Sequence, residues 1–143
     1  MNKILFELEP NAYEPKKMHP NDAGFDLAVP NGNKYVLKSM EQKVIDTGVR
    51  VAIPHGYVGL VTTRSSKAEI GIRIVLGVID SGYTGTIKLI VNNIDDTSVS
   101  IHGGNRLAQL IIVPICIMPS EVVPHIDRDT ERGENGLGST GKG

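Results

Sequence analysis

Glycine and proline fall at short intervals along the chain, 16 and 8 among 143 residues, and the runs between them are rich in Val, Ile and Thr. Such punctuation leaves room for short strands and almost none for helices. Segments of strand length are 44–54, 57–63, 72–76, 86–92, 98–101 and 107–113, with Pro54-His55-Gly56 and His102-Gly103-Gly104-Asn105 as turns. Apolar residues at helical spacing fit only Ser65 to Ile70, a turn or two at most. The expectation is an all-β antiparallel sandwich, jelly roll or barrel with one short helix. The runs 107–113 and 87–91 are nearly continuous in hydrophobicity, so both faces should be covered, one of them by a second copy of the chain.

The length suits one core that buries about two-thirds of the unfolded surface. It suggests a β domain over residues 1–118 and a charged, glycine-rich arm over 119–143. A formal net charge of −1 argues against nonspecific binding of a nucleic-acid polymer. Aromatic residues at 4%, with no tryptophan, leave little on which to stack single-stranded bases. The single cysteine, Cys116, lies in an apolar run and reads as a buried small hydrophobe. Four histidines without ligand spacing make a zinc site improbable on sequence grounds. With neither a secretion-type leader nor a membrane-length apolar stretch, the sequence is expected to act in the cytoplasm, or inside a host cell if virally encoded.

Five polar clusters interrupt the strand pattern. Asp22-Ala-Gly-Phe-Asp26 sets two carboxylates around a glycine; a plain turn accounts for it, and Asp26 could equally hold the waters of a magnesium ion. Thr63-Arg-Ser-Ser-Lys67 puts Arg64 beside Ser65 and Ser66 at the start of the short helix; the hydroxyls could be caps, or join the guanidinium in holding an anion. Gly77-Val-Ile-Asp-Ser-Gly-Tyr-Thr-Gly85 reads as a hairpin running into the strand from Thr86, turning at Ser81-Gly82. Its Asp80 could act as a general base toward water, and the Tyr83 ring could pack on a sugar and crowd a 2′-hydroxyl. Gln109 is the one polar group of its strand and needs a partner. The tail carries Arg132, Gly138, Ser139 and Thr140, a set suited to phosphate oxygens, although a frayed terminus would have the same composition.

In this order, the five segments closely resemble the five motifs of the homotrimeric dUTP pyrophosphatases. The resemblance implies a jelly-roll-like subunit, a homotrimer with three sites at subunit interfaces, and magnesium-dependent cleavage of dUTP to dUMP and diphosphate. By matching position it implies that Asp80 activates the attacking water and that Tyr83 excludes ribose. It likewise implies that Arg64, Ser65, Ser66 and Gln109 hold phosphates and that Asp26 supports the metal through water. Arg132, Ser139 and Thr140 would come from the arm to clamp the γ-phosphate, beside Leu137 and Gly138.

Three positions depart from that family's pattern. Leu137 stands where an aromatic residue usually covers uracil, Thr63 where proline is common, and Ile74-Val75-Leu76 where many relatives carry a polar amide. The last change leaves the backbone of Gly77, Val78 and Ile79 to read the base. A dCTP deaminase of the same fold is the rival, but the position of its catalytic glutamate falls on Ile90. A nucleotide-responsive regulatory protein is the third possibility.

Overall fold

In the computed structural model of the chain, residues 3–138 are described. They form eleven strands and one short helix: β1 (Leu5–Leu8), β2 (Gly24–Ala28), β3 (Lys34–Leu37), β4 (Gln42–Asp46), β5 (Val49–Ala52), β6 (Tyr57–Thr63), α1 (Ser65–Glu69), β7 (Ile72–Ile74), β8 (Gly77–Ile79), β9 (Lys88–Asn93), β10 (Val99–His102) and β11 (Arg106–Pro114). All pairings are antiparallel, in the orders β2-β11-β6-β8, β4-β9-β7, β1-β5 and β10-β3. This is a jelly-roll-like fold, as the sequence suggested. Its sheets enclose a single core around Leu27, Leu37, Ile45, Leu89, Ile101, Leu107 and Leu110, none more than 2% exposed.

The segment 44–54 is two strands rather than one. Between β4 and β5 the buried Thr47 turns its hydroxyl onto the Ile87 carbonyl (2.7 Å), and Gly48 takes a left-handed φ of 70°. A side chain is disfavoured in that conformation, so glycine allows the chain to leave one sheet and enter another.

The expected hairpin is also absent. β8 pairs with β6, whereas β9 pairs with β4 and β7. Burial explains the divergence: Thr86 and Ile87 are 8% and 2% exposed, and the Ile87 amide donates to the Val49 carbonyl at 2.7 Å, drawing the chain away from β8. The turn itself forms, with the Tyr83 amide donating to the Asp80 carbonyl (3.1 Å) and Gly82 at a φ of 92°.

Beyond β11, residues 115–138 contain neither helix nor strand, and Cys116 is exposed rather than buried. β11 ends at Pro114; the Ile115 amide still donates to the Gly56 carbonyl (2.9 Å), and residues 115–118 are exposed. On the outward face of β4 and β9 the apolar cross-strand pair Val44 and Ile90, 58% and 37% exposed, lies among Gln42, Asp46, Lys88 and Asn92. Among the described residues no helix is long and apolar enough to cross a membrane.

Candidate functional site

Thr62 on β6, Gln109 on β11 and Asp26 on β2 lie in one register row, so their side chains share a face of the four-stranded sheet. β6 ends one residue later, and the Arg64 amide extends its ladder onto the Leu107 carbonyl (3.3 Å) before α1 begins. Arg64 is the N-cap residue of α1, and its side chain makes no capping hydrogen bond. Ser65 and Ser66 are exposed, and neither hydroxyl serves as the cap. Together with Met18, His19, Asp22, Gly24, Asp26 and Gln109, these residues enclose a cavity of about 440 Å³.

Charge in this corner is balanced around Asp26. One carboxylate oxygen faces the Arg64 Nε at 3.1 Å and the other faces the Arg106 Nη1 at 3.5 Å. A register shift between Arg106 and Ala108 sets Arg106 opposite Ala28 and Gln109 opposite Asp26, which lets both β11 side chains reach the acid's neighbourhood. Arg106 was not singled out from the sequence, although it lies three residues before Gln109 in the cluster that was. Gly24 has a steric reason: a Cβ there would sit 2.6 Å from the Gln109 Oε1 and 2.9 Å from its Cβ. Asp22 closes the preceding turn by accepting from the His19 amide at 2.8 Å.

The second cavity, about 230 Å³, lies along β8 and is lined by Gly77, Val78, Ile79, Asp80, Tyr83 and Lys88 among others. β8 is an edge strand, paired with β6 on one side only. Outward backbone N–H and C=O groups along Gly77–Ile79 are therefore unpaired within the sheet. Asp80 is exposed, and among the described residues its carboxylate has no ion-pair partner. The Tyr83 ring folds back over Gly85, with its hydroxyl donating to the Thr86 carbonyl at 2.9 Å. A Cβ on Gly85 would collide with that hydroxyl. Lys88, overlooked in the sequence reading, enters by strand alternation, being exposed between the buried Ile87 and Leu89. Among the described residues Asp80 is the only carboxylate lining this cavity, and Ile90 faces outward on another sheet, so none of them supplies the glutamate a deaminase requires.

The two cavities have no lining residue in common. Nor does either include any described residue of the arm. Arg132 donates from Nε to the Asn135 carbonyl (2.8 Å), Leu137 is fully exposed, and Gly138 is the last described residue. Ser139 and Thr140 lie outside the described residues.

An arginine-bearing corner and an edge-strand cleft share one jelly-roll-like scaffold. A family model described as dUTPase matches residues 11–141, and on that ground the chain belongs to the dUTPase family. The deoxyuridine 5′-triphosphate nucleotidohydrolase of Cutibacterium acnes is 44% identical over 131 residues, covering 89% of this chain and 84% of its relative. The dUTPase of Staphylococcus bacteriophage 80alpha with dUpNHpp superposes with a TM-score of 0.91 at 33% identity, over 99% of this chain and 100% of that one. A mutant dUTPase of phage phi11 of S. aureus, described with a structural Mg(II) ion, gives a TM-score of 0.81 at 30% identity, over 88% and 99%.

Proposed function

We propose that the chain hydrolyses dUTP to dUMP and diphosphate at sites assembled between subunits of a homotrimer. Membership of the dUTPase family supports the activity. The observation that carries the assembly is the separation of the phosphate corner from the nucleoside cleft on one chain.

In this reading uracil lies against the β8 edge, where the backbone of Gly77, Val78 and Ile79 offers both donors and acceptors while Val78 and Ile79 flank the ring. Tyr83, whose hydroxyl donates to the Thr86 carbonyl, would crowd a 2′-hydroxyl of the sugar. Asp80 takes the proton of a water whose oxygen bonds to the α-phosphorus as the bond from that phosphorus to the bridging oxygen breaks. The electron pair leaves with diphosphate. Arg64, Ser65, Ser66 and Gln109 of a neighbouring subunit hold the phosphates and meet the developing charge. A third subunit closes the arm from residue 119 onward, with Arg132, Gly138, Ser139 and Thr140 on the γ-phosphate and Leu137 over the base.

Magnesium fits the donor set in one particular way. Among the described residues no cluster of three or more His, Cys, Asp or Glu side chains could hold a metal alone, whereas Mg²⁺ is commonly bound by substrate phosphates, waters and a carboxylate or two. Two acids line the phosphate corner: Asp22 accepts from the His19 amide, and both oxygens of Asp26 face arginines. Incoming phosphates would give Arg64 a second anionic partner, and Asp26 would then be the residue to hold a magnesium ion through water. When bound, the ion would neutralise phosphate charge. Substrate and enzyme meet where deoxynucleotides are made, in the cytoplasm or the interior of a host cell.

The test is diphosphate release from each deoxynucleoside triphosphate with Mg²⁺. dUTP should be turned over preferentially, and Asp80→Asn should lower kcat by about a hundredfold or more while binding dUpNHpp within about threefold of wild type. Near-normal turnover by that variant would remove Asp80 from its role.

A further inference from the structure

The eight residues between β8 and β9 carry Asp80 and Tyr83, and most of their anchors lie near the ends of the segment. Ser81 donates from Oγ to the Ile53 carbonyl (3.0 Å), Thr86 donates from Oγ1 to Asp46 (3.0 Å), and Ile87 is bonded to Val49. Between these points the tip is flanked by Gly82 and Gly85. Behind it lies open space, a cleft of about 430 Å³ lined by Leu5, Phe6, Ala52 and Ile53 on one side and Gly82, Tyr83 and Thr84 on the other. Packing alone therefore does not fix the tip.

One side chain bridges the gap. Arg50, in the middle of β5, donates from Nη1 to the Thr84 carbonyl at 2.6 Å. Its other edge is held by Glu9, whose Oε1 accepts from Nη2 at 2.6 Å and from Nε at 3.2 Å, and Glu7 lies 3.2 Å from the same Nε. A guanidinium is a planar fork, so fixing one edge aims the other. Lysine, a single ammonium on a flexible stem, could not do both.

We infer that Arg50, aimed by Glu9, is a positioning residue that fixes the Tyr83–Thr84 turn and so sets the discrimination between deoxyribose and ribose. The inference rests on the reading that Tyr83 excludes the 2′-hydroxyl. A steric barrier rejects an added oxygen only as firmly as the barrier is held, because a ring free to move yields to it. Arg50 touches neither substrate nor the attacking water, so its loss should affect selectivity more than rate.

The experiment compares wild type, Arg50→Met, Arg50→Lys, Glu9→Gln and Tyr83→Ala by kcat/KM for dUTP and for UTP, and by amide hydrogen exchange over residues 80–85. Arg50→Met keeps the apolar stem and removes the donors. It should speed exchange in that segment and raise the UTP-to-dUTP ratio of kcat/KM about tenfold, with kcat for dUTP within about threefold of wild type. Glu9→Gln and Arg50→Lys should fall between Arg50→Met and wild type. Should Arg50→Met fail to fold, these two variants carry the same comparison. Unchanged exchange in the folded variants would overturn the clamp. Faster exchange with an unchanged ratio, while Tyr83→Ala raises it, would overturn the positioning role alone. An unchanged ratio in Tyr83→Ala would instead remove the reading of Tyr83 on which the inference stands.

Discussion

Gly24 and Gly85 are glycines because of the side chains that lie over them. Gly24 leaves room for Gln109, and Gly85 for the phenol of Tyr83. The Gly24 contact is unforgiving, since the added methyl would meet the Gln109 Cβ, which is fixed to the β11 backbone, as well as the mobile amide. Gly24→Ala should therefore displace the amide from the phosphate corner and lower kcat/KM for dUTP about tenfold or more, equivalent to about 1.4 kcal/mol of lost transition-state binding. A steady-state assay beside a thermal melt separates this from general unfolding. Asp26 poses the converse case, because it is the counter-charge that keeps Arg64 and Arg106 together near the cavity. The sequence made Arg64, Asp26 and Gln109 visible as polar interruptions in apolar runs. Arg106 was harder to see, because its approach to Asp26 depends on the register shift in β11, which no local pattern encodes.

Strands with long apolar runs, β6, β9 and β11, were legible because burial on at least one face imposes continuous Val, Ile and Leu. β1 and β3 were not: each is only four residues long, too short for its apolar residues to establish a period. β2 was masked by Asp26, a site residue in mid-strand, and β8 by its three-residue length. The pairing of β8 with β6 joins residues well apart in sequence, and the turn at Ser81-Gly82 resembles a local hairpin too closely to warn of it. The switch from β4 to β5 turns on Gly48, whose left-handed backbone and whose Cβ direction, 3.1 Å from the Ala12 Cβ, both oppose a side chain. Gly48→Ala should cost about 1–2 kcal/mol in a denaturant titration. Between β3 and β4, Glu41 accepts from the Lys38 amide at 2.9 Å and lies 3.2 Å from the Lys43 Nζ. The backbone hydrogen bond first, then Lys43, holds its pKa below the usual carboxylate range. A depressed native pKa means that the unfolded chain takes up the proton first. The stabilisation is accordingly present above the ordinary glutamate range and lost as pH falls through the native value. Glu41→Gln should thus be less stable than wild type at neutral pH, and the gap should close as pH falls through the depressed native value, as measured by melts across the range.

At the scale of the whole molecule, the proposed assembly would cover the exposed Val44 and Ile90 and residues 115–118, and would bring the two cavities of different copies together. Sedimentation should give a trimer. Subunit mixing provides a sharper test, because Asp80→Asn and Arg64→Ala damage different cavities. Each variant alone should be inactive, and equal mixing with subunit exchange should restore about a quarter of wild-type activity, the chance that an intact Asp80 and an intact Arg64 meet across one interface. No recovery would mean that both residues serve from the same chain. On the proposed assembly, a solitary copy holds only fragments of the machinery. Its output should then depend on protein concentration more steeply than linearly: diluted past its dissociation point, the preparation goes silent while every molecule stays folded, and concentrating it brings the reaction back.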